Sequence, residues 1–330
     1  MRVFDADATR DALPFERLIP ALRALFATGC EVPPRQVLRI AVPGGEAVTS
    51  LVMPAWLPGR AYGVKIVNIA PGNAARGLPG LHGSYVLHDA ATGVPQALID
   101  GDQITARRTA AASALAAMWL AAPRATHLLV VGAGQVARLL PAAYRVARPS
   151  IERVTVWARA PERAEALAAK LRTQGFDARA ATHLQAAVGE ADIVSCATLA
   201  TAPIVMGRWL RAGSHLDLIG SFTPAMREAD DDCLRGARLY VDTDEALTKS
   251  GDLIGPLSRG VIRAADVAGT LRTLARGEAA GRATAAERTV FKSVGTALED
   301  LAAAMLVCEL ALSVGVQGGP CTREHRTAGD

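Results

Sequence analysis

The pattern of apolar and polar positions divides the chain into two regions. In the first region, short runs of apolar residues separated by Gly- and Pro-containing turns predict strands over residues 37–42, 48–53, 61–69, 85–88 and 95–99. Helical spacing predicts a helix over residues 14–27, and an alanine-rich helix is predicted over residues 102–120. We therefore expect a β-rich α+β domain here.

From residue 124 the pattern changes to short apolar runs that alternate with helical segments. Such alternation predicts a parallel, doubly wound sheet whose ligand lies at the carboxyl ends of its strands. The predicted strands are 128–131, 153–157, 178–181, 192–197, 214–219 and 239–241, with helices over 136–147, 161–174 and 184–189 between them. Residues 290–295 are predicted to lead into a last long helix that runs through residue 312.

A glycine motif opens the second region. Residues 126–137 read THLLVVGAGQVA, in which Gly132, Gly134 and Ala137 form a G-x-G-x-x-A pattern between a predicted strand and a predicted helix. Backbone N–H groups at such a helix start bind a pyrophosphate, and glycine lets it approach. The motif therefore predicts a dinucleotide site, to which Gln135 and Val136 also contribute.

The end of the next predicted strand bears on cofactor choice. No carboxylate follows Trp157, where an NAD-preferring site would place one for the ribose 2′-OH. Ala158 and Arg159 come next, with Arg163 one turn further, and arginine can hold a 2′-phosphate through its planar, charged fork. We predict NADPH in preference to NADH; the alternatives are that both arginines are a solvated face or that Glu162 binds the ribose.

Composition narrows the function classes. Half of the 330 residues are apolar, 21% are charged and the net charge is +4, which favours a globular protein and no nucleic-acid partner. The five cysteines lack C-x-x-C spacing, so neither a disulfide framework nor a metal site is predicted, and a cytoplasmic location fits best. No segment is expected to span a membrane.

Seven motifs together resemble the ornithine cyclodeaminase and mu-crystallin superfamily. They are GVKIVN around Lys65, GLPGLHG at 77–83, ITARRTAAASA around Arg108, VVGAGQVA, TLATAPIV, the RE-A-D-D-D run after Gly220, and TVFKSVG. The resemblance implies a homodimer in which residues 1–120 and 304–330 form a substrate-binding and dimerisation domain, and residues 121–303 a Rossmann NADP-binding domain.

Within this superfamily, one position separates the activities. Phe222 stands where the ornithine cyclodeaminases and related alanine dehydrogenases carry an aspartate, and phenylalanine can neither accept a proton nor pair with an amine. The GSFTPAMRE stretch resembles bacterial ketimine reductases, which implies NADPH-dependent reduction of Δ1-pyrroline-2-carboxylate to proline and of Δ1-piperideine-2-carboxylate to pipecolate. The alternatives are an ornithine cyclodeaminase, an alanine dehydrogenase, an open-chain imine reductase, or a binding protein like mu-crystallin.

The resemblance also implies site residues. Arg39 and Arg108 would clamp the substrate carboxylate and Lys65 would touch the imine or carboxylate, although Arg35 and Arg107 are neighbouring candidates and a lysine in a strand can be an edge residue. The remaining predicted cofactor contacts come from strand ends and from family positions near the nicotinamide: His82, Thr198, Leu199, Ile219, Lys292 and Ser293.

Overall fold

The structure is a computed structural model that describes residues 1–313 and contains two sheets. The first sheet and its helices come from the amino-terminal part of the chain. In order these are β1 (Arg2–Phe4), α1 (Ala6–Asp11), α2 (Phe15–Thr28), β2 (Gln36–Ile40), β3 (Val48–Leu57), β4 (Ala61–Ile69), β5 (Leu81–Asp89), β6 (Pro95–Asp100) and α3 (Gly101–Leu120).

The first sheet has the strand order β1-β6-β5-β4-β3-β2. β1 runs parallel to β6, and the other neighbours are antiparallel. In β4 every second residue is buried, and the register aligns Lys65 with Met53 on β3 and Tyr85 on β5. This buried face, which carries Lys65, packs against helices from both ends of the chain.

The second sheet belongs to the rest of the chain. Its elements are β7 (His127–Val131), α4 (Gln135–Ala147), β8 (Arg153–Trp157), α5 (Pro161–Thr173), β9 (Asp177–Ala180), α6 (Leu184–Glu190), β10 (Ile193–Cys196), β11 (His215–Leu218), β12 (Arg238–Val241), α7 (Ala246–Lys249), α8 (Gly251–Ser258), β13 (Val267–Thr270), α9 (Leu271–Arg276) and β14 (Thr289–Lys292). The eight strands are all parallel, in the order β13-β12-β14-β11-β10-β7-β8-β9. The chain moves outward from β7 to β9 and then continues on the other side of β7 at β10, so the switch point lies between β7 and β10.

Two helices connect the units. The nearly wholly buried α3 begins where the Asp100 carboxylate accepts the Gln103 N–H at 2.7 Å, and it contacts α2 on one side and α4 and β14 on the other. The last helix, α10 (Ala297–Ser313), packs on α2, α3, β3 and β4 from its first turns. Part of the predicted 304–330 segment, residues 314–330, lies outside the described residues.

The predicted doubly wound α/β fold is confirmed, and most predicted elements lie within one or two residues of those observed. The apolar pattern did not predict β1, α1, β13 or helices α7 to α9, and residues 289–292 form strand β14 where 290–295 were predicted to lead into the last helix. In the part of the chain that the structure describes, no helix has the length and hydropathy needed to cross a bilayer.

Candidate active site

The glycine turn after β7 joins the ends of three strands. Gly132 has φ +124°, a value that disfavours side chains, and its N–H donates to the Trp157 carbonyl at the end of β8 at 2.8 Å. A Cβ added to Gly132 would lie 2.6 Å from the Ala197 carbonyl oxygen, just after β10. Glycine is thus required here by both conformation and space.

The start of α4 fits a pyrophosphate. Gly134 is the N-cap of this 13-residue helix and gives no side-chain cap, so the first N–H groups are left for another acceptor. A Cβ added to Gly134 would meet no atom within 4 Å, and both Gly134 and Gln135 are exposed, whereas Val136 is half-buried. This is the open space and donor set that a phosphate needs.

Two arginines lie beside this turn. Arg159 follows Trp157 and the half-buried Ala158 at the end of β8, and Arg163 lies in the first turn of α5. Both are exposed, and neither forms an ion pair within the described residues. Their guanidinium groups therefore have no internal partner to lose on binding an anion.

The opposite wall of the crevice comes from the ends of β10 and β11. Thr198 is half-buried, Leu199 is 76% exposed and Ile219 is 8% exposed. A buried carboxylate that the sequence analysis missed, Glu228, accepts hydrogen bonds from the Thr198 N–H at 2.7 Å and from the Gly220 N–H at 2.7 Å. Glu228 thus holds the loops that follow β10 and β11 at a fixed spacing.

Lys65 and Arg108 meet in a buried ion cluster. Asp300 on α10 binds both, through Oδ2 to Lys65 Nζ at 2.7 Å and through Oδ1 to Arg108 Nε at 2.9 Å. Glu299 accepts from Arg108 Nη1 at 2.6 Å through Oε2, while its Oε1 has no hydrogen-bond partner. Arg108 is the most exposed member, at 8% of its side chain.

The charge of this cluster is set by burial. Burial lowers the pKa of Lys65 to about 8, against the opposing charge of Asp300, and raises the pKa of Glu299 to about 7, against Arg108. Burial alone would raise the pKa of Asp300, but Lys65 and Arg108 hold it below its usual range. Lys65 and Arg108 thus share the Asp300 carboxylate, and burial opposes full ionisation of Glu299.

A second arginine, Arg35, lies near Arg108 in the segment that precedes β2. Arg35 donates to the Gly295 carbonyl at 2.9 Å and lies 3.4 Å from Glu245, and it lines a small pocket with Met53 and Thr296. Gly295 has φ +76°, and a Cβ there would collide with the Arg108 guanidinium. Arg35 and Arg108 thus lie on either side of one glycine.

Arg39 and His82 are not part of this arrangement. Arg39 lies on the edge strand β2, whose five residues are all exposed, and His82 is exposed near the start of β5. Of the two neighbouring arginines considered from the sequence, Arg35 contacts Gly295 and Arg39 does not, and the predicted role of Arg39 remains a prediction. Arg35 precedes β2 and is only 17% exposed at its side chain, whereas Arg39 is carried outward by the strand.

Lys292 and Ser293, at the end of β14, lie inside the second unit. The Lys292 side chain is 0% exposed, its Nζ is 3.6 Å from Asp252 Oδ2, and Ser293 is 4% exposed. Their predicted contact with the nicotinamide remains a prediction. The sequence did contain a signal for two of the missed carboxylates: Glu299 and Asp300 are adjacent acids directly before the apolar run 301–308 of a helix.

Comparisons with known proteins identify the family to which this chain belongs. Residues 21–315 match the ornithine cyclodeaminase/mu-crystallin family. The chain is 43% identical over 278 residues to the Δ1-pyrroline-2-carboxylate reductase of Paracoccus denitrificans (84% of this chain, 88% of that protein) and 36% identical over 311 residues to the rat ketimine reductase mu-crystallin (92% and 95%).

A solved structure is similar over nearly the whole fold. The Δ1-pyrroline-2-carboxylate reductase of Thermococcus litoralis, in complex with NADH and L-proline, has a TM-score of 0.89 and 32% identity, over 96% of this chain and 98% of that one. These matches confirm the family resemblance inferred from the motifs. They also confirm the enzyme class: an oxidoreductase that acts on carbon–nitrogen double bonds with a nicotinamide cofactor.

Proposed function

Because the chain belongs to the ornithine cyclodeaminase/mu-crystallin family, we propose that it reduces cyclic ketimines with NADPH. Its substrates would be Δ1-pyrroline-2-carboxylate, giving proline, and Δ1-piperideine-2-carboxylate, giving pipecolate. The observation that carries this proposal is the buried cluster of Lys65, Arg108 and Asp300, with Arg35 beside it. A cyclic imine next to a carboxylate is the kind of ligand that such a cationic site orients.

Each cation has a distinct part in holding the substrate. Arg108 and Arg35 flank Gly295 and would bind the carboxylate through charge-assisted hydrogen bonds. Lys65 is already paired with Asp300, so its charge does not need the substrate as a partner. Lys65 would contact the imine side of the ring. Bound reduced nicotinamide would supply the hydride; the task of these side chains is to fix which face of the imine carbon is presented.

The preference for NADPH rests on the end of β8. Arg159 and Arg163 are exposed and without an ion-pair partner in residues 1–313, and no acid takes the place of a ribose ligand directly after Trp157. Two unpaired guanidinium groups would attract a 2′-phosphate and give little to a ribose hydroxyl. The T. litoralis relative was solved with NADH, so the test below includes both nicotinamides.

Phe222 supports reduction over lysis of an amino acid. Its ring is 41% exposed in the loop that follows β11, at the edge of the sheet where the crevice lies. An aromatic ring there offers no proton acceptor for a substrate amine. The loop is therefore suited to a ring-shaped, apolar substrate body.

Initial rates with the five- and six-membered ketimines, each with NADPH and NADH, test the proposal. We expect turnover of both rings and a lower KM for NADPH. A preference for an imine formed from pyruvate and an amine would instead indicate an open-chain imine reductase. NADPH binding with no oxidation above background would indicate a binding protein.

We also propose that the enzyme is a homodimer that uses β2. Within the described residues this strand is the last of its sheet, and Val37, Leu38 and Ile40 on it are 59%, 48% and 49% exposed. A free strand edge with apolar side chains favours cover by another chain. Light scattering should give twice the chain mass, and Leu38→Lys should shift it toward the monomer; a monomeric wild type would refute this assembly.

A further inference from the structure

Glu228 joins the ends of two neighbouring strands. Its Oε1 accepts hydrogen bonds from the Thr198 N–H at 2.7 Å and the Thr198 hydroxyl at 2.8 Å, and its Oε2 accepts from the Gly220 N–H at 2.7 Å. Thr198 follows β10 and Gly220 follows β11, and Glu228 is 0% exposed. One carboxylate therefore spaces the two loops that form a wall of the crevice.

The loops held by Glu228 also support the glycine turn. A Cβ added to Gly220 would collide with the Thr198 carbonyl and with Glu228 itself. A Cβ added to Gly132 would lie 2.6 Å from the Ala197 carbonyl oxygen and 3.5 Å from Thr198 Cγ2. A shift of Thr198 would therefore reach the turn that faces the pyrophosphate.

We propose that Glu228 is a positioning residue for the dinucleotide: its ionised carboxylate fixes the loops after β10 and β11 against the glycine turn, and its protonation weakens dinucleotide binding. The residue acts through Thr198 and Gly220 and has no exposed atom of its own for a ligand. This inference rests on the dinucleotide-binding part of the proposed function and not on the choice of imine.

The hydrogen-bond pattern favours the ionised form of Glu228. Three donors converge on Glu228, and two of them are backbone N–H groups that cannot turn away. A protonated carboxyl would place its own O–H among these donors, so at least one good acceptor position is lost. Burial of an unpaired N–H is costly, and the loops would move to relieve it.

The groups that face Glu228 come from three elements. Asp252 on α8 accepts the backbone N–H of Glu228 at 2.8 Å, Lys292 on β14 lies 3.6 Å from Asp252, and Cys196 on β10 is also close enough to interact. Burial raises the pKa of Glu228 to about 7; Lys292 opposes this rise and Asp252 adds to it. The carboxylate thus changes charge in the pH range of ordinary assays.

The test is the dissociation constant of NADH without imine, measured by nicotinamide fluorescence from pH 6 to pH 8.5. NADH is the probe because the 2′-phosphate of NADPH would itself titrate near pH 6. For the wild type we expect a constant Kd above about pH 8 and a Kd about tenfold higher at pH 6, as linkage to one group near 7 requires. Glu228→Gln should bind NADH roughly tenfold more weakly at pH 8, because the NH2 of its amide must face a backbone N–H. The NADH Kd of this variant should not depend on pH.

Asp217→Asn is the matched control. Asp217 is also 0% exposed and accepts three hydrogen bonds, but all come from hydroxyls, those of Ser113, Tyr144 and Ser195, which can rotate. Burial raises its pKa to about 6, so it too is a titrating buried carboxylate. We expect this variant to keep the wild-type Kd and its pH dependence.

A folded Glu228→Gln protein with wild-type Kd and pH dependence would overturn the proposal. If that variant does not fold, the wild type decides, because an NADH Kd that stays constant from pH 6 to pH 8 overturns it equally. Loss of the proposed function is a separate result: NADH binding with the expected pH profile but no ketimine turnover would refute only the reaction. A wild type that binds neither nicotinamide would refute both.

Discussion

Lys65 Nζ and Asp300 Oδ2 form an ion pair of 2.7 Å in which the two side chains are 1% and 0% exposed. The other oxygen of Asp300 holds Arg108, so one carboxylate on the last helix fixes two cations from different elements of the first unit. Buried ion pairs contribute little net stability because desolvation offsets their attraction. Their presence here is better explained by the substrate site that we propose they preorganise.

Lys65→Ala should lower ketimine turnover by about 10- to 100-fold, the range expected for loss of a hydrogen bond to a charged group. Its NADPH affinity should remain close to that of the wild type, because the glycine turn lies on the other sheet. Steady-state rates and an NADPH binding titration check this. Unchanged turnover would remove Lys65 from the site, and a melting curve must show that the variant is folded, since Asp300 loses a partner.

Arg35→Ala and Arg39→Ala form a matched pair of variants. Arg35 donates to the Gly295 carbonyl beside Arg108, whereas Arg39 lies on β2, the edge strand that the homodimer is proposed to use. We expect Arg35→Ala to raise the ketimine KM by roughly tenfold or more and Arg39→Ala to change it less than twofold in the same assay. The reverse order would restore Arg39 as the carboxylate ligand predicted from the sequence.

The double variant Arg159→Ala plus Arg163→Ala should raise the KM for NADPH far more than the KM for NADH. Both guanidinium groups are exposed, so the change should cost little stability. Steady-state titrations with each nicotinamide at a saturating ketimine concentration provide the comparison. Equal effects on the two cofactors would mean that the phosphate binds elsewhere.

The ketimine KM should rise as the pH increases above about 8. Burial lowers the pKa of Lys65 to about 8, and a lysine is charged only below its pKa, so the positive charge is lost as the pH rises through this value. Lys65→Arg keeps its charge and should lack this rise, whatever its absolute rate. A wild-type KM that is flat from pH 7 to pH 9.5 would show that the charge on Lys65 does not control binding.

The sequence predicted the parts of the site that are local in the chain. The strand, glycine turn and helix at residues 127–147 follow one another, so their pattern is readable without tertiary information. Glu228 and Asp300 were missed because their partners are 30 and 192 residues away, at Thr198 and Arg108. Spacing alone gives no signal for such contacts.

The direction in which a side chain points was a second property that could not be predicted from the sequence. The family resemblance assigned the substrate carboxylate to Arg39, whereas Arg35, just before the exposed strand β2, is the arginine that contacts Gly295 near Arg108. Residues 290–295 were likewise predicted to lead into a helix, whereas pairing with β11 and β12 makes residues 289–292 a strand. Short apolar runs fit either structure.

The sequence separation of the ion cluster has a consequence for biosynthesis. Arg108 leaves the ribosome 192 residues before Asp300, so the first sheet and α3 are made while both cations still lack their carboxylates. The nascent chain must keep these side chains hydrated, and the cleft can close around them only when the final helix has been translated. Acquisition of the substrate site is therefore among the last events of folding on the ribosome.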